Sequence, residues 1–498
     1  MEMNRRRFLQ ATALGAGSLA LPGVGWAETG NDAARFDAGL ARYPWLAGWQ
    51  DAPLQDGVVR ALTVEGRVPA GLAGTLYRNG PGRFSRGGRR YRHWFDGDGL
   101  MQAWRIDASG VTHQARFVDT PKFRREQAAG RFVRPAAGTW VEGADAIRNS
   151  DDANTANTAV IAHAGSVYAL WEGGSATALE PGTLRSQGAK TWGPDLASVP
   201  FSAHPLIDRD GTLWNFGLSG KQLLVWQIGA DGALRNIKVI PLPYPGYLHA
   251  FSMTQRHLAF VVLPYVHERS LGDSAFFDAL KWRPQRGGRA LVVDKDDLDR
   301  QRWFGLPAGA AYHYGPAVQR GDELILQACW GTDGESLRSP FASEMRGMPK
   351  RVASGSQLLQ IALNLKRGGV RVQTVVDEPI DFPEWNTQQE DGAMFALAAG
   401  AGNEHGFFDA VCAIDPEHGE TARYRYPHGV MVEEHRHVAA PGARRPRQGW
   451  LVGTVLDYRR GRTGVSVLDA ENLAAGPQAM AWLSSTLPLG FHGWFDRA

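Results

Sequence analysis

The chain of 498 residues is 43% hydrophobic and 21% charged, the balance of a folded globular protein and not of a disordered one. Its formal charge is +3; setting aside residues 1–27, which hold three arginines and one glutamate, leaves 51 basic against 50 acidic side chains, so nothing resembles a nucleic-acid footprint. Only two cysteines occur, Cys329 and Cys412, far apart and without CxxC or Cys/His finger spacing, which excludes a disulfide framework and reads as two buried thiols.

At the N-terminus, Asn4-Arg5-Arg6-Arg7-Phe8-Leu9-Gln10 precedes an apolar, small-residue stretch from Ala11 to Val24 and a Gly25-Trp26-Ala27 end that suits signal peptidase. Consecutive arginines before Phe-Leu look like a twin-arginine export signal. This predicts a signal peptide over 1–27 and a periplasmic protein that crosses the membrane already folded; a basic arm or an ordinary secretory signal are the alternatives. The apolar run is too short and too rich in glycine and alanine for a membrane span.

Pro44 to Gly57 reads as an arm laid over the fold. From about residue 60, short apolar or alternating runs recur: Gly74 to Arg78, Ser166 to Trp171, Thr212 to Phe216, Gln222 to Trp226, His257 to Leu263, Ala290 to Val293, Glu323 to Cys329, Leu358 to Leu363, Ala410 to Ile414, Trp450 to Val455 and Gly464 to Leu468. The turns between them include Asp210-Gly211, Asp231-Gly232, Gly287-Gly288 and Arg320-Gly321-Asp322, which suit β-hairpins. No linker divides residues 28–498, and repeated meanders over such a length favour one all-β domain, a β-propeller, over a sandwich. A propeller also offers an axis onto which each blade can project one side chain.

Four of the fourteen histidines stand at strand-associated positions in separate repeats: His204, His249, His313 and His492. Separations of 45, 64 and 179 residues rule out a local finger or an HExxH helix, so only the fold can bring them together. Neutral imidazoles suit a first-row divalent metal and leave positions open for oxygen, unlike a closed thiolate zinc site.

Several ordered motifs strongly resemble the carotenoid cleavage oxygenase family: Leu76-Tyr77-Arg78-Asn79-Gly80-Pro81, His93-Trp94-Phe95-Asp96-Gly97-Asp98-Gly99-Leu100, Asn154-Thr155-Ala156-Asn157-Thr158, Ala169-Leu170-Trp171-Glu172-Gly173-Gly174, Phe201-Ser202-Ala203-His204-Pro205 and Leu487-Pro488-Leu489-Gly490-Phe491-His492-Gly493. The resemblance implies a seven-bladed propeller with a loop and helix cap, and iron(II), Fe(2+), held on the axis by His204, His249, His313 and His492. It further implies acidic residues that hydrogen-bond three of the imidazoles, fixing their tautomer and offsetting the metal charge. Glu172 matches the first acid and Glu434 another, with adjacent Glu433 as a register alternative. Asp381 stands where the family usually has glutamate; being one methylene shorter, it acts through a water or leaves the role to Glu384. Two further departures, Ala250 after His249 and the Gly315-Pro316-Ala317-Val318-Gln319 run after His313-Tyr314, change the surroundings of the ligands but not the ligands.

By the same resemblance, the expected activity is oxidative cleavage of a conjugated carbon–carbon double bond to two carbonyl products, with one oxygen molecule consumed and no external reductant. The histidines act as ligands and not as general bases. In the stilbene-cleaving branch a lysine usually precedes the first acid, where it binds the phenol; Trp171 occupies that place here. This favours a carotenoid or apocarotenoid over a stilbene, with Trp171 as a candidate substrate contact unless it faces away into the core. The segment Phe276-Phe277-Asp278-Ala279-Leu280-Lys281-Trp282 is either a membrane-facing patch or a short helix packed on the propeller. A propeller that binds an apolar ligand without cleaving it, and an isomerase, are the readings from other classes.

Overall fold

The computed structural model describes residues 32–498 apart from 54–56, 269–273, 333, 335–340, 350–354, 386–392, 401 and 416; the expected signal at 1–27 lies outside the described residues. Seven antiparallel sheets of four to six strands, with one additional two-stranded hairpin, form a seven-bladed β-propeller. Each apolar run read from the sequence overlaps a strand. The third blade shows why. Leu213–Ser219 and Gln222–Ile228 are central strands buried on both faces, hence their nearly continuous hydrophobic character. Tight turns close such hairpins: between Tyr314–Arg320 and Glu323–Trp330, Gly321 sits at φ +58, where a side chain is disfavoured.

The ring is closed twice by strands from opposite ends of the chain. The C-terminal strand Gly493–Arg497 pairs with Gly74–Arg83 and becomes the inner strand of the first blade. Val64–Gly66, in turn, adds to Pro477–Trp482 at the outside of the seventh blade. Apolar side chains fill the seams between blades. Phe216 of the third blade and Phe251 and Phe260 of the fourth form one such seam, the last two stacked at 5.1 Å. Each buried ring contributes about 1.5–3 kcal/mol relative to leaving it exposed.

Short helices and loops cap one end of the propeller. The helix Pro121–Ala129 starts where Thr120 accepts a hydrogen bond from the Phe123 amide, with proline in its first turn, and ends at Gly130 with φ 63. Buried Lys122 anchors it to the first blade through Asp98 at 3.1 Å and pairs with Glu126, one turn further along the same helix, at 2.9 Å. The arm expected from Pro44 to Gly57 is instead partly a plug. Pro44–Trp49 is a 3-10 helix, and Leu46 and Trp49 are wholly buried. Trp49 packs edge-on against Trp94 and Phe407 at 5.9 and 6.1 Å, because these rings bury more apolar area inside the cap than over it. The Phe276 to Trp282 segment resolves into the short helix Phe276–Ala279 and the strand Leu280–Trp282, with Phe277 buried and stacked 4.6 Å from His93. Among the described residues no helix is long and apolar enough to cross a membrane. Cys329 and Cys412 are both free and buried, and burial holds both thiols above their usual range.

Candidate metal centre

Each blade sends one side chain toward the axis. His204 precedes Leu206–Ile207 of the third blade, His249 lies between Gly246–Tyr247 and Phe251–Met253 of the fourth, and His313 precedes Tyr314–Arg320 of the fifth. His492 precedes the closing strand Gly493–Arg497 of the first. The other three blades supply carboxylates: Glu172 from the turn after Ser166–Leu170, Asp381 from Ile380–Glu384, and Glu434 from Val430–Ala439. The four imidazoles converge so that one nitrogen of each lies within 4.8 Å of the others, with Nε2 of His204 2.8 Å from that of His249 and Nε2 of His313 3.2 Å from that of His492.

Each carboxylate takes a different histidine. Glu172 pairs with Nδ1 of His249, Asp381 lies 2.8 Å from Nδ1 of His313, and Glu434 lies 3.0 Å from Nδ1 of His492. A carboxylate on Nδ1 holds the proton there and turns the Nε2 lone pair inward. Burial pushes the His492 imidazole down to about 4 and His204 well below its usual value, which favours the neutral form, the one in which an imidazole can bind a metal. Burial alone would raise the Glu434 carboxyl, but the hydrogen bond from His492 and the charges of Arg436 and Arg78 outweigh it and hold the group well below the ordinary carboxylate range.

Two expectations about the acids change. Asp381 needs neither a water nor a substitute: the strand bulges between Asp381 and Glu384, Phe382 takes φ 53, and the aspartate meets His313 directly. Glu384 faces elsewhere, accepting from the His437 amide at 2.9 Å and pairing with Arg436 at 2.7 Å. The register question also resolves, since Glu434 faces His492 while Glu433 accepts from the Gly490 amide and Arg78.

Residues without an assigned role in the sequence complete the surroundings. The Tyr247 hydroxyl donates to the Glu172 carboxylate at 3.2 Å and lies 3.1 Å from His249 Nδ1. Its place two residues before His249, the same-face spacing of extended backbone, is the signal that could have found it. Tyr312 and His249 meet edge to face with their ring centres 4.8 Å apart, and Phe382 packs 4.9 Å from His313 and 5.1 Å from His492. Above them, Phe95 contacts Tyr312, Phe277 and Phe491 at 5.7, 5.8 and 5.2 Å, giving the cap side of the centre an aromatic lining. Trp171 is half-buried, and its ring lies over the Gly173 and Gly174 backbone, where added methyl groups would come within 3.0 and 3.4 Å of it.

The donor set fits a divalent first-row ion. Nitrogens bound at roughly 2.1 Å around one centre would stand about 3 Å apart as neighbours and about 4 Å apart as opposites; the His204–His249 and His313–His492 pairs at 2.8 and 3.2 Å have the neighbour spacing, and all four nitrogens lie within 4.8 Å of one another. A propeller axis carrying four histidines, three of them braced by carboxylates, defines a class of scaffold able to hold a metal with coordination positions left free. The sequence model of the retinal pigment epithelial membrane protein (RPE65) family matches residues 52–497. The chain belongs to this RPE65/carotenoid cleavage oxygenase family and is an enzyme of the carotenoid cleavage dioxygenase type. The apocarotenoid-15,15'-oxygenase of Synechocystis is 28% identical over 486 residues, covering 90% of this chain and 95% of that protein. Carotenoid 9,10(9',10')-cleavage dioxygenase 1 of Pisum sativum is 27% identical over 502 residues, covering 92% and 91%. Among solved structures, cobalt-substituted Synechocystis ACO matches with a TM-score of 0.81 at 25% identity, covering 91% of this chain and 98% of that one.

Proposed function

We propose that the protein is a non-haem iron(II) dioxygenase that cleaves one conjugated carbon–carbon double bond of a carotenoid or apocarotenoid to two carbonyl products. The observation that carries this reading is the convergence of His204, His249, His313 and His492, with three of their Nδ1 atoms facing carboxylates. Iron(II) held by the four imidazoles would supply the reducing centre that oxygen chemistry requires. Glu172, Asp381 and Glu434 keep the ligand tautomers fixed and offset the metal charge. The aromatic side chains of Phe95, Phe277, Tyr312 and Phe382 exclude water and offer flat apolar surfaces to a polyene. Both oxygen atoms of O2 end in the two carbonyls, and the four electrons of the broken double bond reduce them, so no other reductant is needed.

A polyene is preferred over a hydroxystilbene because Trp171, which offers no charge to a phenol, precedes Glu172, with its ring laid over Gly173 and Gly174. Arg5, Arg6 and Arg7 support export through the twin-arginine route to the periplasm; Arg5→Lys with Arg6→Lys and Arg7→Lys should retain the protein in the cytoplasmic fraction, and unchanged export would remove that assignment. The function itself is tested by anaerobic purification, metal analysis, and oxygen uptake with product mass spectrometry against apocarotenoids and 4-hydroxystilbenes. Near-stoichiometric iron with two carbonyl fragments per O2 from a polyene is expected. Cleavage of hydroxystilbenes alone would overturn the substrate assignment, and turnover without metal would overturn the centre.

A further inference from the structure

The strand Val430–Ala439 carries two consecutive glutamates, whose side chains would leave opposite faces of a regular strand. A bulge between Val432 and His435 breaks that alternation, and both carboxylates enter the same buried seam. There they divide the contacts. Glu434 faces His492 Nδ1 at 3.0 Å and accepts from the Gly493 amide at 2.6 Å, while Glu433 accepts from the Gly490 amide. Arg78, wholly buried on Gly74–Arg83, bridges them: Nη1 donates to Glu434 and Nη2 to Glu433, each at 3.2 Å. Neighbouring Asn79 accepts from the Phe491 amide at 2.9 Å and donates its own amide to the His492 carbonyl at 3.0 Å.

His492 differs from the other three histidines in how it reaches the axis. Those three belong to blades whose remaining strands follow them directly in sequence, whereas His492 opens a strand added to a blade made by the other end of the chain. Its position therefore depends on the seam between the last blade and the first. The geometry points to Arg78 and Glu433 as positioning residues for His492: with Glu434 they clamp the segment from Gly490 to Gly493 so that the imidazole faces the other three. A planar guanidinium fork sets both carboxylate distances at once, which a single ammonium does not. It also compensates two adjacent buried charges that would otherwise repel. The inference rests on the metal-centre reading above.

The test uses the purified full-length mature enzyme loaded with cobalt(II), comparing the wild type with Arg78→Lys, Glu433→Gln and Val64→Gly. The last weakens the other closing strand, away from His492. Three readouts are taken: the visible ligand-field spectrum, cobalt affinity by chelator competition, and the thermal midpoint. Arg78→Lys and Glu433→Gln should shift the spectrum and weaken affinity about tenfold or more, while Val64→Gly lowers the midpoint and leaves the spectrum unchanged. Wild-type spectra and affinities in the two clamp variants, or an equal spectral shift in Val64→Gly, would overturn the inference. Should Arg78→Lys not fold, Glu433→Gln decides alone, because it keeps the side-chain shape while removing the charge and turning one acceptor oxygen into a donor. A wild type that takes up neither cobalt nor iron would instead overturn the metal-centre reading.

Discussion

At the scale of single residues, the centre depends on imidazoles whose second nitrogen is occupied. In the proposed iron centre His313→Ala takes away one of four coordinating nitrogens, and it should leave less than a tenth of the wild-type iron at equal protein, measured by elemental analysis. Changing a brace is subtler. Asp381→Asn keeps the size of the side chain but loses the charge that accepts from His313 Nδ1, and iron affinity or turnover should fall about 10–100-fold with little change in the melting curve. Asp381→Glu restores the acid usual in the family, yet the aspartate already makes direct contact at 2.8 Å. The added methylene has to displace His313 or Phe382, so about tenfold weaker metal binding is expected; equal or tighter binding would show the bulge to be slack. The identity of the histidines was legible because imidazoles stand within short motifs. The reach of Asp381 was not, since it depends on the bulge and on Phe382 at φ 53.

At the scale of elements, seams and bulges aim the side chains. Gly80 on Gly74–Arg83 lies so close to the segment before His492 that an added Cβ would stand 2.3 Å from Gly490 Cα, backbone against backbone. Gly80→Ala should therefore destabilise the fold by about 2 kcal/mol or more and weaken metal binding with it; a denaturant melt showing less than about 0.5 kcal/mol would contradict this packing. Phe382 presents the opposite case. Its left-handed backbone just before Pro383 is strained, and its ring packs on His313 and His492. Phe382→Gly relieves the strain but removes the ring, so metal affinity should fall more than stability does. The central strands were readable because burial on both faces makes them continuously apolar. Val370–Val376, an outer strand of the fifth blade with five consecutive exposed residues, lacks that signal.

At the scale of the whole molecule, buried histidines away from the centre set the response to acid. Burial pushes His113 down to about 3 and His405, His435 and His437 down to about 4. These groups stay neutral in the fold while the unfolded chain takes up protons below about pH 6.5, so stability is lost as pH falls from there toward 4. Asp96 and Glu384, both raised to about 7 by burial, act with the opposite sign: their contribution is full below about pH 4 and is lost as pH rises through 7. Four histidines outweigh two carboxyls between pH 4 and 6.5. The metal-free protein should therefore melt at lower temperature at pH 5 than at pH 6.5, and an unchanged or higher midpoint would contradict the assignment. Metal-free protein is the appropriate sample because acid also displaces metal from the histidines.

The sequence by itself determined the class of fold and the short motifs that carry the four histidines, because hydrophobic runs, turn residues and motif-borne imidazoles are local properties of the chain; Glu172 and Glu434 were legible only through the resemblance of those motifs to a family. Tertiary structure alone decided that Asp381 touches its histidine unaided, that Glu433 and Glu434 share one face, and that Trp49 is a plug. Those outcomes depend on a bulge, a left-handed residue and the closure of a ring by strands from opposite ends. The distances that fix them run between residues far apart in the chain, 68 positions for His313 and Asp381 and 355 for Arg78 and Glu433, and no local pattern in a sequence encodes a distance of that kind.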